Sequence, residues 1–449
     1  MPETHLKREL GQRDLILFAI ACIVGPRWIA VAASAGPGSV ILWIGAAVLF
    51  AAPLGVAVAA LIHKHPEAGG LYAWTRHDFG PWHGFLCFWM YWFGIALTLP
   101  NSAMFAMSMS AYALGPKYAY LADNQTFVVL ATFVSIWIAL GTNIVGMKVG
   151  KWTENLGGIT AWMLGLLLVG VSAIVWTRQG SVTPMNKAMH FAVSWNWQTL
   201  GFFGTMAFAL SGMEVIGLMA AEIRQPRKTV VPATWIGTLF TTVFYAASTV
   251  ALLVLIAPGS ISELHGLGDG GNVAAGLLGW PWLTPLIAVL VLVNSMGGWG
   301  GFGAAGSRMP YAAGVDHLLP TAFARLHPRW ATPYISILVF GGVASLLLFA
   351  VQLGDSLRAA YQALLSLMVL SGFLPYLYLF ASAWRAGRRL AGVSGIAVTL
   401  LTIVSSAVPT GEVGNIWLFE GKLVAGTALI IGSAWLVYRH GTRRRHVRA

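Results

Sequence analysis

Two ionisable residues lie well inside apolar runs of membrane-spanning length, Arg27 and Glu214. A charge near mid-bilayer costs at least about 2.5–3.5 kcal/mol unless it meets water or a partner. Each sits beside an interruption. Gly25-Pro26-Arg27 breaks the first apolar run, and Ala209-Leu210-Ser211-Gly212 breaks the sixth, just before Glu214. Freed backbone groups at membrane depth are tolerated only around a cavity. Half-helix N-termini hold anions, and unwound carbonyls hold cations. An amino-acid zwitterion offers one group for each. The spacing therefore predicts a substrate site built from Gly25, Pro26 and Arg27 with Leu210, Ser211 and Gly212. In this reading Arg27 binds a carboxylate or excludes cations, and Glu214 takes and releases a proton. A structural ion pair between Arg27 and Glu214 would explain the same two charges without function.

The elements that must position these residues are legible in the composition. The chain has 449 residues, 57% apolar and only 9% charged, with mean hydropathy +0.73. Soluble domains carry roughly 25% charged residues, so a soluble enzyme, a disordered chain and a fibrous protein are excluded. A spanning helix needs about 20 apolar residues. Apolar runs of that order fall at 14–35, 39–62, 84–114, 125–146, 155–177, 198–221, 230–257, 283–307, 333–352, 357–384, 393–410 and 417–438. They are too long and too uniformly apolar for barrel strands, which alternate. The expectation is an all-α membrane protein of about 12 transmembrane helices.

The net charge of +12 is a topology signal and not a nucleic-acid footprint. With both termini placed in the cytoplasm, 21 of the 27 Lys and Arg residues fall in inner segments and 5 in outer ones, leaving Arg27. That bias is the positive-inside pattern. Tryptophans near run ends, such as Trp82, Trp176, Trp195, Trp282, Trp330 and Trp417, fit an interfacial belt. Cys22 and Cys87 lie in apolar runs, which excludes a disulfide framework or cysteine metal site. The first run lacks a small-residue cleavage site and reads as an uncleaved helix.

Other motifs carry less. Gly301-Phe302-Gly303-Ala304-Ala305-Gly306 spells a dinucleotide fingerprint, but it lies in the eighth run, where small residues serve helix packing. His63 and His65 read as loop histidines without a carboxylate at zinc-protease spacing. Asn124-Gln125-Thr126 matches a glycosylation sequon tight against a span. Asn294-Ser295-Met296-Gly297-Gly298-Trp299 is poor in the paired hydroxyls that a sodium site would use.

Three ordered motifs give a resemblance. His65-Pro66-Glu67-Ala68-Gly69-Gly70-Leu71-Tyr72-Ala73-Trp74 resembles the PEAGG-Y loop of the amino acid–polyamine–organocation transporter superfamily. The stretch from Phe208 through Glu214 to Glu222-Ile223-Arg224-Gln225-Pro226-Arg227-Lys228 resembles its next signature. So does Ser307-Arg308 through Leu319-Pro320, His327-Pro328-Arg329 and Thr332-Pro333. Gly25-Pro26-Arg27-Trp28 is similar to a segment of glutamate/GABA-type exchangers.

The resemblance implies a LeuT-type 5+5 inverted repeat with discontinuous helices 1 and 6. It implies a first repeat over 14–177, a second over 178–384, helices 11 and 12 over 385–438, and cytoplasmic tails at 1–13 and 439–449. It further implies that the Gly25 backbone meets the substrate carboxylate, that Phe208 closes over substrate, and that Glu214 senses protons. Arg27 departs from the pattern, standing where a second glycine is expected. The expected activity is secondary transport of amino acids across the plasma membrane, by proton symport or exchange. No enzyme chemistry, cofactor, metal or nucleic-acid partner is expected. A transporter-like sensor and an ion channel remain the alternatives.

Overall fold

An apolar segment in lipid must satisfy its own N–H and C=O groups, which a helix does within one segment. The computed structural model describes residues 24–65, 70–145, 147–214, 226–315, 319–410 and 413–448, with positions 12 and 223. Among the described residues, nine helices are long and apolar enough to cross a membrane. Of the expected twelve runs, the first, sixth and eleventh are not among these nine. Helix α1 (Arg27–Ser34) is the described half of the first, and the residues before Val24 lie outside the described residues, as do Pro66–Gly69, Glu222, Arg224 and Gln225 of the motifs above.

The chain continues through α2 (Ser39–Lys64), α3 (Gly70–Phe79), α4 (Pro81–Ala113), α5 (Gln125–Val145) and α6 (Met147–Gln179). Helix α7 (Trp197–Ala209) is the short half of the sixth run. Then come α8 (Pro226–Leu255), α9 (Gly266–Leu278), α10 (Leu283–Val315), α11 (Tyr334–Gln352), α12 (Leu357–Arg385), α13 (Arg389–Ser405) and α14 (Ile416–Arg448). Helices α3 and α9 fall in stretches that the hydropathy pattern left as connections. Both are short and only weakly apolar, so they are fixed by packing against α4 and α10 and not by their own composition.

Burial separates the helices by role. The most apolar window of α12 is 78% buried, whereas that of α14 is 17% buried. Helix α12 is thus central, touching α4, α13 and α14, while α14 presents its apolar side chains outward to lipid. Helix α2 contains a π-helical turn at Ala47–Ala51. It carries Phe50, which stacks on Phe373 at 5.0 Å and meets Tyr376 and Phe380 edge-on. The dinucleotide-like glycines lie within α10. Gly306 faces the Phe340 ring of α11 so closely that a Cβ would sit 2.3 Å from it, and its carbonyl accepts from Trp92 Nε1 at 2.6 Å. Gly303, where a Cβ would sit 2.7 Å from Asn143, serves close helix contact in the same way, whereas Gly301 has open space beside it.

Gly306→Val should therefore force α10 and α11 apart. Overpacking of this kind costs about 1–3 kcal/mol, read as a lower thermal midpoint of the purified protein. An unchanged midpoint would show that Phe340 moves aside freely.

Candidate substrate site

The first break is organised by Pro26. Its ring fixes φ and removes an N–H that a helix start would leave orphaned. Pro26 precedes α1 with φ −58°, and the Gly25 and Pro26 carbonyls accept from Trp28 N (3.2 Å) and Ile29 N (3.1 Å). The Gly25 N–H, which no helix pairs, donates to the phenol oxygen of Tyr245 at 2.8 Å. Tyr245 comes from α8 and is itself stacked on Trp43 (4.6 Å between centroids, 11°). Trp43 Nε1 donates to Thr249 at 3.2 Å.

Arg27 opens α1 and is only 8% exposed. Its guanidinium carbon lies 4.5 Å over the Trp28 ring, a cation–π contact. Nε is buried without a hydrogen-bond partner. Among the described residues no carboxylate lies within ion-pair distance of Arg27. Its electrostatic neighbours are two phenols, Tyr361 and Tyr245. Tyr361 of α12 and Asn101 of α4 are fully buried beside one another, and the phenol oxygen and the amide atoms have no hydrogen-bond partner beyond this pair. Guanidinium, phenol and amide thus form a buried polar group with unused donors and acceptors. Such groups are rare in folded proteins and mark ligand or water positions.

The second break follows α7. Leu210 N bonds back to Met206 and Ala207, and Ser211 N and Oγ both donate to the Phe208 carbonyl, at 2.9 and 2.6 Å. Gly212 then takes φ +115°, a conformation that excludes a side chain at low cost. Its N–H donates to Glu214 Oε2 at 3.0 Å. Tyr91 of α4 donates to Glu214 Oε1 at 2.8 Å, and Tyr376 of α12 lies beside it. Glu214 is buried and well bonded, and it does not pair with Arg27.

Phe208 links the two breaks. It is half-buried, meets Trp28 edge-on at 5.9 Å, and packs on Phe373 at 5.7 Å. Gly372 leaves room for it, since a Cβ there would sit 2.5 Å from the Phe208 ring. The structure therefore brings Gly25, Pro26, Arg27 and Phe208 to one locus, and keeps Leu210, Ser211, Gly212 and Glu214 within the adjoining second break. The surrounding Tyr245, Tyr361, Asn101, Tyr91 and Tyr376 are not singled out by the sequence reading. Their one signal is a polar group within an apolar run. His65 joins His77 (rings 4.2 Å apart) beside Asp78, which also takes Lys64 at 3.4 Å.

A family profile described as "Amino acid permease" matches residues 10–414, most of the chain and both breaks. The chain belongs to the amino acid permease family. It is a multi-pass membrane transporter of the amino acid–polyamine–organocation superfamily and not an enzyme.

This permease is 24% identical over 457 residues to "Uncharacterized transporter lpg1691" of Legionella pneumophila, covering 96% of this chain and 97% of that one. It is 25% identical over 298 residues to "Probable agmatine/putrescine antiporter AguD" of Lactococcus lactis, covering 65% and 62%. It is 25% identical over 402 residues to "Branched-chain amino acid permease BcaP" of Bacillus subtilis, covering 82% and 80%. Among solved structures, MhsT in complex with L-phenylalanine superposes with a TM-score of 0.61 at 14% identity, covering 89% of this chain and 99% of that one. The fold of the permease is accordingly LeuT-type.

Tyr245→Phe should leave the Gly25 N–H buried and unpaired. The expected loss is about 1–3 kcal/mol of stability, measured by thermal or denaturant unfolding. Equal stability would mean that water replaces the phenol.

Proposed function

We propose that this permease carries an amino acid, or a related carboxylate-bearing amine, across the plasma membrane by alternating access. The observation that carries the reading is the Arg27 guanidinium, buried at the start of a half-helix with Nε unpartnered. A buried cation without a counter-charge among the described residues calls for an anion from outside. A carboxylate matches the planar fork of an arginine bidentately, and the helix terminus adds its own partial positive charge. Tyr361 and Asn101 supply further donors and acceptors beside it. Phe208, hinged between Trp28 and Phe373, closes over the bound molecule. A fixed guanidinium repels cations, so the substrate class differs from the one that the antiporter AguD's name describes.

Glu214 is the proton-handling or charge-sensing residue in this reading. It accepts from Tyr91 and the Gly212 N–H at the second break, where a change of charge acts directly on the unwound segment. Coupling is to protons or to a counter-substrate. Sodium is disfavoured because the 294–299 stretch of α10 is poor in paired hydroxyls and a fixed guanidinium, Arg27, stands at the other break. The similarity of Gly25–Trp28 to glutamate/GABA-type exchangers supports exchange. The charge bias supports cytoplasmic termini, which places the 178–197 and 256–282 connections outside.

Uptake of an amino-acid panel into proteoliposomes tests this, with and without a pH gradient or internal counter-substrate. At least one carboxylate-bearing amine should accumulate. Arg27→Gln should weaken its binding about 10- to 150-fold, the loss of a charged hydrogen-bonding partner worth about 1.5–3 kcal/mol. Binding without uptake would identify a sensor, and failure of every carboxylate-bearing amine would overturn the substrate class. Glu214→Gln should abolish pH-driven uptake while sparing exchange, and full pH-driven uptake in that variant would remove the proton role.

A further inference from the structure

The connection between α8 and α9 carries a carboxylate that the proposed transport site does not use. Glu263 is 8% exposed. Gln362 Nε2 of α12 donates to its Oε2. Thr410, in the turn after α13, donates to Gln362 Oε1 at 3.1 Å and so fixes which way the amide points. The hydroxyl of Ser34, at the end of α1, lies beside the same carboxyl. The other oxygen, Oε1, is buried with no hydrogen-bond partner. Among the described residues no Lys, Arg or His lies within ion-pair distance.

Two residues later the chemistry is the reverse. His265 Nδ1 meets Asp269 Oδ2 at 2.8 Å, and Nε2 meets Asp123 Oδ2 at 3.1 Å. Asp123 is also gripped by Arg358 through Nε and a terminal nitrogen, both at 3.1 Å. Tyr112 donates to Asp269. This network clamps the connection to α4 and α12. Glu263 is left as the carboxylate in that region without a cation. A negative charge buried in this way is strongly disfavoured, and burial pushes the Glu263 carboxyl up to about 7.

We propose that Glu263 is a proton-binding site of the external face, with the proton carried on Oε1. Oε2 goes on accepting from Gln362 in either state, so uptake of one proton changes the charge and leaves the scaffold bonds in place. The neutral carboxyl holds together the end of α1, the start of α12 and the turn at Thr410. Loss of the proton puts a bare charge between those three elements, one of which is the half-helix that Arg27 opens.

The groups that face this locus are few. From α12 come Tyr361 and Arg358, the latter committed to Asp123 and close to His265 (3.4 Å). From the connection itself comes His265, from the first turn of α9 comes Asp269, and from the turn before α5 comes Asp123. Arg27 lies across Tyr361 at the far end of α1. Glu412 lies outside the described residues. Of the groups at this locus, His265 is the one that could be mistaken for Glu263 in the stability titration, while any carboxyl band of Glu214, at the second break, persists in Glu263→Gln. Burial opposes protonation of His265, and its two aspartates outweigh that and hold it above its usual value.

The link to transport rests on the reading of the previous subsection, whereas the proton site does not. The full chain in detergent is followed from about pH 5 to about pH 9 by infrared absorption of protonated carboxyl groups and by thermal midpoint. The sign of the effect follows from linkage. The folded value near 7 lies above the unfolded 4.5, so the folded chain holds the proton where the unfolded chain does not. Stability then falls as pH rises from 4.5 to about 7 and levels off above. Glu263→Gln should lack both that fall and one carboxyl band that wild type loses between about pH 6 and about pH 8.

A wild-type spectrum without a titrating band, or parallel stability curves in the two proteins, would overturn the proposal. So would a stabilisation of wild type by sodium over choline chloride that Glu263→Gln abolishes, since the ligand would then be a metal cation. His265→Gln should keep the band. In proteoliposomes, counterflow by Glu263→Gln should persist with a flattened pH profile. Wild type that shows the band but moves no amino acid would sink the transport reading and leave the proton site standing.

Discussion

Every backbone N–H and C=O at membrane depth needs a partner inside the protein, because hydrocarbon supplies none. Two helices that stop part-way across violate this locally, and much of the surrounding structure is the response. The Gly25 N–H is taken by Tyr245, and the Gly212 N–H by Glu214. Each partner is in turn held: Tyr245 by its stack on Trp43, and Glu214 by Tyr91. The consequence spreads outward to Thr249, which anchors Trp43. A broken helix is therefore not a local irregularity here, since α2, α4, α8 and α12 all supply side chains to it.

Tyrosine does most of this work, for a physical reason. A phenol buries as a large apolar body and offers a donor and an acceptor at its tip. It can sit in a spanning helix at low cost and deliver one hydrogen bond to an adjacent break. Tyr91, Tyr245, Tyr361 and Tyr376 approach the two interruptions from three different helices. They leave the two ionisable residues in unlike states. Glu214 has both oxygens engaged, while among the described residues Arg27 has an indole face and neighbouring phenols.

The breaks themselves were legible because Gly, Pro and charge are conspicuous in an apolar run. The all-helical membrane architecture followed from hydropathy, and the LeuT-type fold from three ordered motifs; of the expected twelve spans, nine are long and apolar enough among the described residues. The phenols were not legible, since a tyrosine in a helix has the same local signature whether it faces lipid, a neighbour or a site. Asn101 was hidden in the same way within the 33-residue α4. Helix α9 was missed because its glycines, Gly266, Gly268, Gly270 and Gly271, argue against a helix on propensity alone. Packing explains them. A Cβ at Gly268 would meet the Tyr112 ring at 2.7 Å, and one at Gly270 would meet Leu252 at 2.6 Å. The role of Glu263 depends on Gln362, 99 positions away, and that of His265 on Asp123, 142 positions away, as well as on its i,i+4 neighbour Asp269; no local pattern carries the two distant partners.

The bare guanidinium of Arg27 has a kinetic side. In a carrier, the empty site must cross back through an occluded state in which water is squeezed out. On the proposed reading, substrate aboard gives Arg27 a carboxylate beside it for that passage. Without substrate it makes the passage as a lone cation in a low-dielectric enclosure, where charge is most costly. The loaded crossing is then the easier one in both directions. On the proposed reading, a site built this way is expected to trade one molecule for another faster than it returns empty.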